Sequence, residues 1–369
     1  MASIGPGPFC AMMLADHGAD VIRVDRAKDG LTLVDERLDV MNRSRRSIVA
    51  DLKTPEGVQL VRDLVKTADG VIEGFRPGVM ERLGLGPDVL LADNPKLVYG
   101  RMTGWGQNGP YAQLPGHDIN YISLAGALHS FGEKGGKPIL PLNLVGDFGG
   151  GGLMLAFGMV TAILNARATG KGQVVDCAMT DGVAALMAMV WSFVNAGHWT
   201  DERGTFLLDG SAPFYDSYET ADGKYISLGS IEPQFYAAMR SALEIDQDPD
   251  FDVQHDRSKW PAQKARIAAL IKAKTRDEWC AQLEASDVCF APILGVAEAP
   301  DHPHNRARGT YVNVDGMTQP APAPRFLGTP AATPRATARR GTHAAEILAE
   351  LGYDEAQRAP FLGQPGDGR

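Results

Sequence analysis

At 369 residues the chain is longer than one compact core usually holds, so two domains are expected. Its 44% hydrophobic and 22% charged residues exclude a disordered or fibrous protein. The net charge of -9 excludes a general nucleic-acid binder, because neutralising phosphates takes a surplus of Lys and Arg; any anion site must be local.

The N-terminal "MASIGPGPFC" has no basic segment followed by an apolar one. No apolar run reaches the length of a membrane span, and the final "QPGDGR" carries no peroxisomal address. The expected location is the cytoplasm, with no membrane partner. Cys10, Cys177, Cys280 and Cys289 show neither CxxC spacing nor pairing with His at metal-binding intervals, which predicts free thiols and no metal site. "IGPGPFCAMMLADHGADVIRVDR" imitates a dinucleotide-binding fingerprint. Cys10 stands where the third glycine belongs, Pro6 and Pro8 remove two N-H donors, and no strand precedes the glycines, so a nicotinamide cofactor is not expected.

Further along, "DVIRVDR", "GVIEGF" and "LVYGRMTG" read as strands, alternating with helical "TPEGVQLVRDLVKTA" and "PDVLLADNP". This rhythm predicts a parallel α/β sheet. Two long apolar helices are expected at about 148–169 and 179–197, joined by a glycine turn and a strand in "TGKGQVVDCAM". From about 213 the texture changes: "DG" in "APFYDSYETADGKYISLGS" predicts a hairpin. "KWPAQKARIAALIKAKTRDEWCAQLEAS" predicts two amphipathic helices with a Thr275 cap, and "CFAPIL" a closing strand. The segment "QPAPAPRFLGTPAATPRATARRG" reads as an extended linker.

A basic cluster in "RSRRSIVADLK" sets Arg43, Arg45, Arg46 and Lys53 against one acid, Asp51, and Arg76 and Arg82 follow in "EGFRPGVMERLGLG". Taken singly, each Arg is an ordinary solvated charge. Grouped at the ends of parallel strands, they point to a phosphorylated, nucleotide-like ligand.

Three titratable residues sit at junctions between loops and regular elements: His117 in "LPGHDINYISLAG", Asp147 in "NLVGDFGGGG" and Glu232 in "LGSIEPQFY". Each also has a structural use, as a backbone-capping histidine, a helix N-cap and a solvated carboxylate respectively. The four glycines after Asp147 need a reason, since each costs about 1 kcal/mol in a helix. Close approach of a ligand oxygen to the helix N-terminal N-H groups would supply one, with those donors stabilising an enolate. A carboxylate such as Glu232 bonded to one ring nitrogen of His117 would fix its tautomer.

These motifs, with "GKGQVVDCAM" and "GSAPFYDSYETADGKY", resemble those of the α-methylacyl-CoA racemases within the class III CoA-transferase superfamily, from about residue 4 to about 330. The resemblance implies a Rossmann-like α/β large domain with a parallel sheet, a smaller α+β domain and an interlocked homodimer. The large domain's first part would span 1–195 and the small domain 213–300, with 301–369 returning to the large domain. Coenzyme A, as part of the substrate, would lie near Arg26, Ala50, Asp51, Leu52, Lys53, Gly74, Phe75, Arg76 and Arg82. It would also pass Gly116, Asp118, Ile119, Asn120 and Tyr121. His117 and Asp147 would be the two proton carriers that invert a 2-methylacyl-CoA, with no further cofactor. Asn143 and nearby backbone N-H groups would hold the thioester oxygen, and Glu232 would reach His117 from the partner subunit. Burial would have to offset the helix dipole to keep Asp147 protonated.

Family members begin with a strand ahead of "SIGPGPF" that this sequence lacks, which predicts an exposed neighbour in the sheet. Two alternatives remain. In a CoA-transferase of the same superfamily Asp147 would attack the thioester as a nucleophile, although such enzymes usually lack the His117 and Glu232 pair. The other is a coenzyme A binder without catalysis.

Overall fold

The computed structural model describes residues 1, 4–26 and 34–362, and the chain divides into two compact units. The first comprises Met1–Ala125, Pro141–Met187 and Arg306–Arg369; the second comprises Gly126–Leu140 and Ala188–Asn305.

The first unit is the expected parallel α/β structure. Strand β1 (Ile22–Asp25) pairs in parallel with β2 (Arg46–Val49), and β3 (Gly70–Glu73), β4 (Val98–Thr103) and β5 (Gln173–Ala178) form a second parallel set. Helices α1 (Pro6–Asp16), α2 (Pro55–Val65), α3 (Val79–Arg82), α4 (Pro87–Asp93) and α5 (Asp118–Leu124) fill the connections. Thr54 caps α2 by accepting the Gly57 N-H at 3.1 Å, with Pro55 pre-set for the first turn. Ile48, Leu60, Leu90, Leu97 and Tyr99 are fully buried, and the chain's C-terminal part joins this core through Ile347 and Leu348. Strands β1 and β3 are not paired with each other; both line one cleft of about 2300 Å³. At that cleft the Met1 ammonium donates to the Ile72 carbonyl at 2.8 Å, and β3 is half-buried, with Glu73 at its end fully buried, rather than exposed as expected for the neighbour of a missing strand.

The helix expected at 148–169 begins four residues earlier. A π-helix, Leu144–Leu153, runs directly into the α-helix Met154–Thr169. By length and composition the joined stretch could cross a membrane, contrary to the expectation that no segment reaches that length. The join explains it, because neither part is long enough alone. Its glycines serve packing. A Cβ on Gly150 would lie 2.7 Å from Val183 Cγ2 and one on Gly152 would lie 2.7 Å from the Pro6 carbonyl oxygen; on the facing helix Met179–Leu186, one on Gly182 would lie 1.8 Å from the Gly150 carbonyl oxygen. The π-helix is thus clamped between α1 and the helix Met179–Leu186 at distances only glycine allows. The second helix expected, 179–197, is broken at Met187 into Met179–Leu186 and Ala188–Asn195.

The second unit holds the antiparallel sheet β6 (Tyr215–Glu219), β7 (Tyr225–Gly229) and β8 (Phe290–Ile293). The predicted hairpin, the two helices at Trp260–Ile271 and Arg276–Leu283, and the Thr275 cap are all present; Thr275 and Glu278 form a reciprocal capping box. Phe214, Phe251, Ile226 and Met239 are its fully buried centre.

Replacing Gly182 with Ala should lower unfolding free energy by about 1–3 kcal/mol, the usual cost of overpacking. Gly328→Ala, where nothing lies within 4 Å, should be neutral, and urea denaturation of both variants checks the contrast.

Candidate active site

The C-terminal ends of the parallel strands lie along one edge of the first unit. The register pairs Asp25 with Val49 and Glu73 with Arg101, and Ala50 donates its N-H to the Asp25 carbonyl at 2.9 Å. Arg26, Ala50, Asp51, Leu52, Lys53, Gly74, Phe75 and Arg76 therefore all follow directly on strand ends, where α/β sheets bind ligands. The Arg26 guanidinium lies 5.8 Å from the Phe75 ring centroid, so two loops predicted to line the ligand do come together.

The basic cluster separates into two kinds of arginine. Arg43 is buried and donates to both oxygens of Asp16, at 3.0 and 2.5 Å, and to Gln319. Arg46 binds Asp20, Glu346 and Glu350, and buried Arg45 donates to the Met41 carbonyl and Asn42. Arg43 and Arg46 are engaged by carboxylates and Arg45 by the Met41 carbonyl and Asn42, with its Nε left without a partner among the described residues, so these three serve the structure rather than standing as free phosphate ligands. Arg26, Lys53, Arg76 and Arg82, by contrast, are exposed, and none has an ion-pair partner among the described residues.

A buried ionic network supports the second pair. Glu73 is almost fully buried, which raises its pKa, and it accepts the Phe75 N-H at 2.7 Å and Arg101 Nε at 3.1 Å. Arg101 also binds Glu81 at 2.8 Å, and Glu81 belongs to α3 beside Arg82. The turn carrying Arg76 and the helix carrying Arg82 are thus tied to one strand. Sequence reasoning missed this network, although Glu73 and Arg101 are register partners on neighbouring strands.

Asp147 does not cap a helix. It lies in the first wide turn of the π-helix, and Asn143 occupies the N-cap position. Leu142, with φ 57, turns the chain into that start, a strained conformation for a branched residue. Asn143 Nδ2 donates to Asp147 Oδ2 at 2.9 Å, and Gly5, with φ 74, places its Cα side against the same oxygen. "IGPGPF" therefore starts α1 against the Asp147 carboxylate; Pro6 fits its first turn. The Asp147 N-H itself donates to Asp118 Oδ2 at 2.8 Å and is thereby engaged within the protein. Burial raises the pKa of Asp147, the Asn143 hydrogen bond opposes this, the Asp118 charge adds to it and His117 opposes it.

His117 is the N-cap residue of α5, with its ring exposed and its N-H donated to Asn120 Oδ1 at 3.0 Å. Tyr121 is buried against Gly104 and Gly116 and bonds the Gly116 carbonyl, fixing the loop ahead of His117, while Ile119 and Asn120 are exposed. Thus His117, Asp118, Asn143 and Asp147 are assembled in the first unit. Glu232 belongs to the second unit, exposed at the start of the helix Pro233–Ala242, where its side chain makes no cap bond.

The first unit is a parallel α/β structure with exposed cations near its strand ends that have no ion-pair partner among the described residues, and with a half-buried carboxyl, Asp147, and an exposed histidine, His117. Residues 1–344 match the model of CoA-transferase family III, and the chain belongs to that family. It is 42% identical to the alpha-methylacyl-CoA racemase of Homo sapiens, covering 97% of this chain and 92% of that protein. It is 32% identical to a succinate–glutarate CoA-transferase of Agrobacterium fabrum, over 98% of this chain and 96% of that one. A solved CAIB/BAIF family protein from Brucella suis superposes with a TM-score of 0.80 at 28% identity, covering 95% of this chain and 97% of that one.

Two substitutions separate the two kinds of arginine. Arg43→Met strands Asp16 in the interior and should cost about 3–5 kcal/mol of stability. Arg76→Met should change stability by less than about 0.5 kcal/mol. Chemical denaturation of both proteins measures the difference.

Proposed function

We propose that this protein epimerises the α-methyl-bearing carbon of 2-methylacyl-CoA thioesters by proton transfer between two bases. The observation that carries the reading is the Asp147 carboxyl, half-buried and held toward its protonated form, with the His117 imidazole acting on it from the start of α5. A thioester acidifies the adjacent C-H. One of these two groups removes that proton as the other delivers one to the opposite face, so the centre inverts and the pair is left with its protons exchanged. Each positioned acid or base contributes about 10²–10⁴ in rate.

Arg26, Lys53, Arg76 and Arg82 would meet the coenzyme A phosphates, with Phe75 beside Arg26 available to its adenine. The second N-H of Asn143 would hold the thioester oxygen. Glu232, unengaged at its helix start, would orient His117 from the partner of an interlocked homodimer. The exposed apolar row Leu153, Phe157, Val160 and Leu164 on one helix supports such a partner surface. The chemistry needs no redox or metal cofactor, and the proposed setting is cytoplasmic, away from membrane and nucleic acid.

In deuterated water the wild type should exchange the α-hydrogen of 2-methylacyl-CoA, followed by NMR. His117→Ala and Asp147→Asn should each slow exchange by about 10²–10⁴. A wild type that leaves the α-hydrogen in place and gains the mass of an acyl or CoA adduct would establish the transferase reading instead.

A further inference from the structure

We propose that Asp118 is a positioning residue that sets the proton affinity of Asp147 and does not contact coenzyme A; the inference rests on the racemase reading above. Asp118 is buried although it directly follows exposed His117. Its Oδ2 accepts the Asp147 N-H at 2.8 Å across 29 residues of sequence. Its Oδ1 is buried and meets no donor among the described residues. A Cβ on Gly146 would lie 2.3 Å from Oδ2, so Gly146 is what lets this carboxylate reach the π-helix. A carboxylate with one oxygen left unsatisfied in the interior is costly, and a second acid beside it is disfavoured in its ionised form.

The groups on the surrounding elements are few. The α5 segment brings His117, Asp118 and Tyr121; β5 and the following helix bring Asp176, Cys177 and Asp181; α1 brings Cys10, with Asp16 paired to Arg43. On β4, Arg101 is engaged by Glu73 and Glu81. Burial is the first cause that favours the protonated form of Asp147; of the groups named, Asp118 adds to it, Asn143 and His117 oppose it, and Tyr121 also lies within reach of the carboxyl's charge.

Asp118→Asn removes the charge and keeps an acceptor for the Asp147 N-H. In protein labelled with ¹³C at the aspartate carboxyl, the Asp147 signal is the one lost in Asp147→Asn. Its titration midpoint should move to lower pH in Asp118→Asn. In the direction of reaction in which Asp147 delivers the proton, the alkaline limb of the pH profile of kcat should move the same way, and in the opposite direction the acid limb should, with KM for the acyl-CoA unchanged. Asp118→Ser, uncharged and smaller, replaces the Asn variant if that one does not fold. An unmoved carboxyl midpoint with a raised KM would overturn the proposal and make Asp118 a substrate contact. The carboxyl titration reads Asp147 without turnover, so failure of the racemase reading would show separately, as a wild type that exchanges no α-hydrogen.

Discussion

The backbone N-H of Asp147, held by the carboxylate of Asp118, joins the two halves of the site. That single bond crosses from the start of α5 to the π-helix, and the two segments it ties carry the imidazole and the carboxyl of the proposed chemistry. The wide helical turn around Asp147 follows from the crowding about it. With Gly146, Gly150, Gly151 and Gly152 all buried, the backbone itself packs against α1 and the helix Met179–Leu186. A side chain at any of these points would push the π-helix off its supports and carry Asp147 with it. The glycine run thus fixes a carboxyl in place, whereas glycines that cradle a phosphate present N-H groups.

Electrostatics in this chain are sorted by burial. Arg43 and Arg101 sit in the interior with carboxylate partners, and removing either partner would leave a charge stranded in a low dielectric. Those pairs hold the sheet ends and the turn after β3. The exposed cations Arg26, Lys53, Arg76 and Arg82 have no such partners among the described residues, which is what the proposed phosphate site requires of them. An acidic protein can in this way hold a local site for phosphates without a basic surface.

Much of this was legible in the sequence because it depends on local periodicity. The alternation of "VIRVD", helix, "GVIE", helix and "VYGRMT" reads directly as parallel strands, and Thr275 with Glu278 reads directly as a capping box. What depends on tertiary packing was not legible. Four glycines after an acid look like a ligand cradle until Pro6, Phe9 and Val183 are seen against them. Arg43, Arg45 and Arg46 look like phosphate ligands until Asp16, Asp20, Glu346 and Glu350 are seen to claim two of them. The excursion Gly126–Leu140 joins the second unit through Arg203, whose donors reach the carbonyls of His129 and Gly136 some 70 residues away in sequence. No short-range pattern encodes such a return.

The relatives include both a racemase and a CoA-transferase, so two chemistries are to be told apart at Asp147. The environment decides between them: a nucleophile must be ionised, whereas a proton carrier must be protonated half the time, and burial with a like charge favours the second. The most direct test is to start the wild type on one pure epimer of a protiated 2-methylacyl-CoA in deuterated water and follow isotope and stereochemistry together. Two bases on opposite faces predict that the newly formed epimer carries deuterium while the remaining starting epimer is still protiated. Equal deuteration of both epimers from the earliest times would contradict the account, since one group would then be moving every proton.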